Sequence, residues 1–462
     1  MRRGISIGFV AVLLALPAGA AFAADGEGGA GPQVGGDVRV RWEYKGPFNY
    51  EDGTAPDPDS DEGTYMRTRL HMNWELVNNI AVFLEAQDSR SWGHDTLDPD
   101  ADADTDVKQA YVALRDLQGQ HGMDFLGEND VDLYVGRREL PFFGDGYIVA
   151  NNPWTNTGPT AFDGLWFDSA FGGEDLQFDI DLIMSSIEDN NPYLTTDDAD
   201  GAGDDTVWWG FQAGTDDIDW VGGEVYFWNF DGEFAPGGVA LDVDVQIYGL
   251  RAYTNFPEDK LKGFKAVFEY AMETGDLETL DFDADFMVIR GEYALDSGDL
   301  DPVFGLGMSK ASGGGATGGD WETWISPLDD NHDKLGHYDL FENSNIQDIF
   351  ITSRASVHEH VDVHLDLHML TLEDDADSWY NQQGGAIGPG VGQDDDLGME
   401  IDIYAVWECG SNLVFQGGYS RFMAGDAVED ATGGFDDDGD FIYLQMTVPF
   451  GHANDGMTSV DP

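Results

Sequence analysis

The chain has 462 residues, with 90 acidic side chains against 21 basic ones and a formal net charge of −69. Such a charge repels a phosphate backbone and excludes nucleic acid as a partner. A single cysteine, Cys409, excludes a disulfide framework, and no run of about 18 apolar residues is present to cross a bilayer as a helix.

The chain opens with Arg2 and Arg3, an apolar run from Ile7 to Leu16 and the small-residue motif Ala21-Phe22-Ala23. This pattern predicts a secretion signal over residues 1–23. A short periplasmic segment is expected over residues 24–36.

From Asp37 onward the sequence alternates with a period of two. Val38, Val40, Trp42 and Tyr44 oppose Arg39, Arg41, Glu43 and Lys45, while Met66, Leu70, Met72 and Trp74 oppose Arg67, Arg69 and His71. Phe178, Ile180, Leu182 and Met184 repeat the pattern against Asp179 and Asp181, as do Val361 to Met369 against Asp362, His364, Asp366 and His368. The last such stretch sets Ile442, Leu444, Met446, Val448 and Phe450 on one face. Strands with one apolar and one polar face follow from this spacing.

A soluble two-sheet sandwich is the competing reading. Short links, such as Val77 to Asn79, Gly172 to Asp175, Thr215 to Asp217 and His358 to His360, alternate with long acidic ones, and the polar faces carry charges on nearly every strand. The sequence therefore predicts an all-β, single transmembrane antiparallel up-and-down barrel of about 18 strands over residues 37–450, followed by a tail over 451–462. A barrel of this size is too wide for side chains to fill, so water enters it. Trp42, Tyr44, Trp74, Trp208, Trp209, Trp228, Tyr293 and Trp407 stand at strand ends and are expected to form the interfacial girdles.

Basic residues are concentrated between positions 39 and 138. Arg39, Arg41, Arg67 and Arg69 have lumen parity, and Arg115 and Arg138 are expected beside them. They form either a cationic ladder for a carboxylate or phosphate, or a set of braces paired with Glu43, Glu75, Glu85 and Asp132. The segment Glu139 to Phe162, rich in aromatic residues and Asn, is either an inward constriction loop presenting Tyr147, Trp154 and Asn156 or an ordinary surface loop.

The acid-rich loops suit a solvated surface, divalent cations beside lipopolysaccharide, or attraction of cationic solutes. The run Asp98 to Asp106 lacks the Gly and terminal Glu of a helix-loop-helix calcium site. His364 and His368 lie about 13 Å apart on a strand, too far for one ion without help from adjacent strands, so they are expected as lumen polar residues along with His358 and His360. With no nucleophile elbow, phosphate loop or zinc motif, neither catalysis, a cofactor nor a metal site is expected.

Several short motifs resemble the alginate-export family of outer-membrane barrels. They are Arg67-Thr68-Arg69-Leu70, Gln87-Asp88-Ser89-Arg90, Gly136-Arg137-Arg138-Glu139 with Gly144-Asp145-Gly146, Trp154-Thr155-Asn156-Thr157-Gly158 and Phe162-Asp163-Gly164. The match runs in order over residues 37 to 168. The resemblance implies an 18-stranded barrel that passes an anionic uronate polysaccharide or smaller solutes through an arginine-rich constriction, with Arg67, Arg69, Arg90, Arg137 and Arg138 matching. Two departures stand out. Tyr147 follows Gly146 where family members usually carry a basic residue, and the second half adds lumen-parity acids including Asp179, Asp181, Asp242, Asp244, Asp362, Asp366, Glu400 and Asp402. The expected function is a passive outer-membrane channel of alginate-export type, in contact with lipid and lipopolysaccharide, for a polysaccharide or hydrophilic solutes. A general or cation-preferring porin and a non-transporting adhesion barrel are the alternatives.

Overall fold

The computed structural model describes residues 31–46, 61–77, 79–92, 104–120, 130–139, 147–148, 154–156, 158–173, 176–187, 206–234, 241–255, 263–277, 279–295, 300–317, 320–326, 331–382, 384–387, 394–410, 412–431 and 438–451. The expected signal over 1–23, most of the Asp98 to Asp106 run and nearly all of the expected tail lie outside these residues.

Six strands open the wall: β1 (Gln33–Lys45), β2 (Asp61–Val77), β3 (Ile80–Ser91), β4 (Asp104–Leu114), β5 (Asp130–Glu139) and β6 (Ala161–Gly173). Six more follow: β7 (Leu176–Ile187), β8 (Thr206–Thr215), β9 (Trp220–Phe234), β10 (Leu241–Asn255), β11 (Phe264–Leu277) and β12 (Leu280–Ala294). After β13 (Val303–Ala311), the short β14 (Ala316–Thr317) and β15 (Asp320–Trp321) belong to a long loop. The wall resumes with β16 (Ile346–His358) and β17 (Val361–Leu372). Another loop contains β18 (Trp379–Tyr380) and β19 (Ala386–Ile387), and β20 (Asp396–Glu408), β21 (Val414–Ala424) and β22 (Gly439–Gly451) complete the ring.

Each wall strand runs antiparallel to its neighbours, and β22 pairs with β1 from Phe450 opposite Gly36 to Phe441 opposite Lys45. The sheet closes as an 18-stranded barrel. Closure leaves no edge with unpaired peptide groups, the condition for a sheet to stand in hydrocarbon. Met184, Leu306 and Leu444 are each more than 60 % exposed on the outer face, whereas Arg39, Glu85, Gln109, Glu269 and Asp348 are buried inside. This is the inverse of a water-soluble barrel. β1 begins at Gln33, ahead of Asp37, because Gly35 and Gly36 pair with Gly451 and Phe450 without adding to the side-chain alternation.

Links fall into two sets by end, and three features depart from the sequence reading. Leu277 pairs directly with Leu280, so one outer link has only two residues between its strands. The periplasmic link from β4 to β5 contains a short helix, Leu117–Gln120. From β8 to β12 the outer half of the lumen face is apolar: Trp208, Trp228, Ile247, Phe286 and Val288 are all at most 1 % exposed. Trp208 and Trp228 therefore point inward and do not join a girdle, while Trp74, Trp209, Tyr293 and Trp407 remain exposed outside. Asp244, expected inside, is exposed on the outer face opposite Asp231 and Asp276, because Val245 and Ile247 take the lumen parity. The apolar lumen face packs against protein: Phe162 lies 5.3 Å from Trp208, and Tyr147 lies 5.5 Å from Phe286.

Candidate functional site: two loops across the lumen

The loop between β5 and β6 enters the barrel and rests on the arginines of β1 and β2. Arg39 Nη2 donates to the carbonyls of Trp154 (3.1 Å) and Thr155 (2.8 Å), and Arg41 Nη1 donates to that of Trp154 (2.7 Å). Arg67 Nη1 and Arg69 Nη2 both donate to the carbonyl of Gly158, at 3.1 and 2.7 Å. Ser89 Oγ on β3 donates to the Asn156 carbonyl at 2.7 Å. Helical and sheet carbonyls are already satisfied, but a loop inside a barrel carries free ones, and guanidinium forks meet that need.

The same arginines are matched by acids. Arg69 pairs with Glu139 at 2.9 Å and approaches Glu85 at 3.8 Å, Arg41 pairs with Glu43, and Asp37 stands opposite Arg69 across the β1–β2 ladder. Gln87 accepts from Arg69 Nε at 2.7 Å, and Gln109 donates to Glu85 at 3.2 Å. Motifs scattered over nearly a hundred residues of sequence thus meet at one seat.

A second inward loop joins β13 to β16. Its neck is closed by Asn345 N–H donating to the Ser312 carbonyl at 3.2 Å, and a Cβ at Gly313 would lie 1.8 Å from Asn345 Oδ1, so only glycine fits there. Glu273 on β11 accepts the Ile325 N–H at 3.0 Å, and Glu400 on β20 accepts the Tyr338 N–H at 2.6 Å. Lys45 Nζ donates to the Asp339 carbonyl at 3.3 Å. Trp324, Tyr338 and Phe341 are buried, with Phe341 packed on Trp379 and Phe422. Sequence reasoning missed this loop, although Trp321, Trp324, Tyr338 and Phe341 within one link were a usable signal: aromatic residues in a connection need somewhere to be buried.

The two loops meet at Trp154. Arg41 sits 3.7 Å from the indole centroid and His332 stacks at 3.7 Å, so both ring faces are covered. His332 stacks on His337 at 4.4 Å, His337 meets Tyr404 of β20 at 4.7 Å, and Tyr404 stacks on His364 of β17 at 4.3 Å. Ser326 Oγ donates to the Tyr147 carbonyl at 3.0 Å. Contacts therefore run from β1 through both loops to β17, four strands round the wall.

Burial within this junction displaces the loop groups from their ordinary protonation. Desolvation holds the His332 imidazole well below its usual value and His337 down at about 4. Desolvation raises the Asp339 carboxyl to about 7 against the pull of Lys45, His337 and Arg41. His332 Nδ1 and Asp339 Oδ2 are 2.7 Å apart.

Of the residues singled out from sequence, Arg39, Arg41, Arg67, Arg69, Tyr147, Trp154 and Asn156 come together at this junction. Arg138 faces the lumen lower down, its guanidinium 3.9 Å from the Tyr134 ring and 4.1 Å from that of Trp166. Arg115 follows the end of β4 beside Tyr111 and Tyr134. Arg90 and Arg137 do not belong to the site. Arg90 shares the outer face with its partner Asp88, and Arg137 donates across the outer face to Asp163 at 2.9 Å. Their inward neighbours are Ser89 and Arg138, and strand alternation turns Arg90 and Arg137 the other way.

A family model described as "Alginate export" matches residues 32–438. The chain belongs to the alginate-export family. It is an outer-membrane barrel, and its family and fold are those of channels and not of enzymes. No curated protein sequence matches it. Among solved structures, OccK11 (OpdR) of Pseudomonas aeruginosa is similar with a TM-score of 0.57 at 12% identity, covering 91% of this chain and 96% of that one. The outer membrane protein OprD of Pseudomonas aeruginosa gives 0.54 at 12% identity, over 92% and 96%. A BenF-like porin from Pseudomonas fluorescens Pf-5 gives 0.53 at 10% identity, over 91% and 99%. These likenesses concern the fold alone.

Proposed function

We propose that this alginate-export family member is a passive channel for small hydrophilic solutes with a preference for cations over polyanions. The observation that carries this reading is the occupancy of Arg39, Arg41, Arg67 and Arg69. Their donors are taken by loop carbonyls and their charge is offset by Asp37, Glu43, Glu85 and Glu139, so little is left for a uronate chain.

Elsewhere the lumen face carries Asp168, Asp181, Glu269, Asp348, Asp362, Asp366 and Asp402, against Arg115, Arg138, Arg251, Arg290 and Arg354. Arg251 and Arg290 are themselves paired, with Glu224 and Glu292. An acidic excess in a low-dielectric tube raises the local concentration of cations. The family description favours a second reading, export of an alginate-like polymer.

The two readings separate in planar bilayers under a KCl gradient. A reversal potential of cationic sign and no block by added alginate are expected. Anionic sign with alginate block at low concentration would replace this proposal by polymer export.

A further inference from the structure

Below the arginine seat the lumen face carries one aromatic ring on each of four consecutive strands: Phe83 on β3, Tyr111 on β4, Tyr134 on β5 and Trp166 on β6. Phe83 stands opposite Tyr111 in register and Tyr134 opposite Trp166, and successive ring centroids are 5.1, 5.9 and 5.9 Å apart. Phe83 and Trp166 are buried, whereas Tyr111 and Tyr134 are half-buried and meet at 71°. Their rings form a corner open to the lumen.

Polar groups flank the corner on both sides. The Arg138 guanidinium lies 3.9 Å from the Tyr134 ring, 4.1 Å from Trp166 and 5.3 Å from Tyr111. Its buried Nε and Nη1 have no hydrogen-bond partner among the described residues. With Tyr134, Phe162, Trp166, Ile183 and Ser185, Arg138 lines an open groove of about 270 Å³. On the periplasmic side Asp132, Asp168 and Asp181 stand in register on β5, β6 and β7, where like charges side by side repel. Asp132 accepts from the Tyr134 hydroxyl at 3.4 Å and Asp181 from Trp166 Nε1 at 3.2 Å, which ties the acids to the rings.

We infer that this corner is a binding station for an uncharged, ring-shaped polyol of the sugar class on its way through the channel. The inference rests on the passage of small hydrophilic solutes proposed above and names the solute. A sugar ring has a face of C–H groups to lay on an aromatic ring, and a rim of hydroxyls that both donate and accept. Hydroxyl oxygens take up the orphaned donors of Arg138, and hydroxyl hydrogens reach the carboxylates of Asp132, Asp168 and Asp181. Charged solutes fit less well from either side. A carboxylate reaches Arg138 only beside three carboxylates of the wall, and a cation has to share the rings with the guanidinium already on them.

The test uses the purified full-length channel in planar bilayers carrying potassium current. Maltotriose serves as the neutral sugar, sorbitol as an open-chain polyol, and sodium benzoate and guanidinium chloride as planar ions. Maltotriose is expected to reduce the current at a concentration at least tenfold below that of the other three. Tyr134→Ala should raise the maltotriose concentration for half-block roughly tenfold. Tyr134→Phe, which keeps the ring, should hold it within about threefold of native, and Tyr253→Ala on β10 should leave it unchanged. Equal potency of maltotriose and sorbitol, stronger block by benzoate or guanidinium, or an unchanged half-block in Tyr134→Ala overturns the station. If Tyr134→Ala fails to insert, the maltotriose-to-sorbitol ratio of the native channel decides alone. A cationic reversal potential without sugar block defeats this inference only, whereas an anionic one with alginate block defeats it together with the preceding proposal.

Discussion

The two halves of the wall hold their inward loops by opposite ends of the peptide group. On β1 and β2, guanidinium groups donate to the carbonyls of residues 154, 155 and 158; on β11 and β20, Glu273 and Glu400 accept the N–H groups of Ile325 and Tyr338. A loop pulled inside a barrel brings unsatisfied donors and acceptors with it, and a charged wall of either sign can satisfy one of the two. The difference teaches that lumen charge and solute selectivity are separate quantities. A charge that seats backbone is spent on architecture, and selectivity must be read from the charges left over.

The comparison can be broken most forcefully by removing the second loop. Replacing residues 331–342 with a short Gly-Ser link deletes His332, His337, Tyr338 and Phe341 and frees Glu400, so single-channel conductance should rise several-fold. An unchanged conductance would mean that the loop between β5 and β6 is the whole barrier. Next in size is the arginine seat. Arg69→Ala leaves Glu139 buried at 1 % side-chain exposure and uncompensated beside the Gly158 carbonyl. Breaking a buried pair in this way costs about 3–5 kcal/mol. A lowered urea midpoint of the detergent-solubilised barrel should report it, with Arg69→Lys recovering only part, because an ammonium cannot bond Gln87, Glu139 and the Gly158 carbonyl at fixed angles.

Sequence alternation was enough to orient Arg39, Arg41, Arg67 and Arg69, because on β1 and β2 the period of two holds through Val38–Tyr44 and Met66–Trp74, where Thr68 is the one polar residue on the outer face. It also argues against Arg90 and Arg137, which entered through their resemblance to family motifs. Their partners Asp88 and Asp163 show those motifs to include an outer-face ion pair as well as a lumen seat. Between β8 and β12 alternation was misleading for a physical reason. A strand's parity says which face is apolar and not what meets it, and here the apolar face meets an inward loop while aspartates top the outer face. The loop from 312 to 345 carried a usable signal in Trp321, Trp324, Tyr338 and Phe341, but its seat was illegible because the anchors, Glu273 and Glu400, lie far away in sequence and bond its backbone.

Acid sharpens the comparison at the junction of the two loops. His332 and His337 are held below their ordinary value and must be neutral to stay docked, so their contribution is present above about 6.5 and is lost as pH falls. Asp339 works in the other sense: its carboxyl, raised to about 7, favours docking as pH falls through that value. Two imidazoles against one carboxyl leave a net uptake of about one proton on release, or roughly tenfold weaker docking per pH unit below about 6.5. Single-channel records between pH 7 and pH 5 should show increasing transitions to a higher conductance. His337→Asn should flatten the dependence and Asp339→Asn should steepen it. The arginine seat has no such titrating group among its hydrogen bonds to residues 154–158, so that loop should stay in place over the same range.

The smallest expected effect tests the separation of structural from selective charge. Asp244 and Asp366 are both strand aspartates in the acidic second half, but Asp244 is exposed on the outer face and Asp366 is half-buried on the lumen face. Asp366→Asn should move the KCl reversal potential toward zero, whereas Asp244→Asn should not move it and should change stability by no more than about 0.5 kcal/mol. At physiological salt, charge beyond the wall is screened within about 8 Å, so an outer-face aspartate has little reach into the conduction path. A shift in reversal potential from Asp244→Asn equal to that from Asp366→Asn would show that total charge, irrespective of face, sets selectivity. The distinction between spent and free charge would then fail.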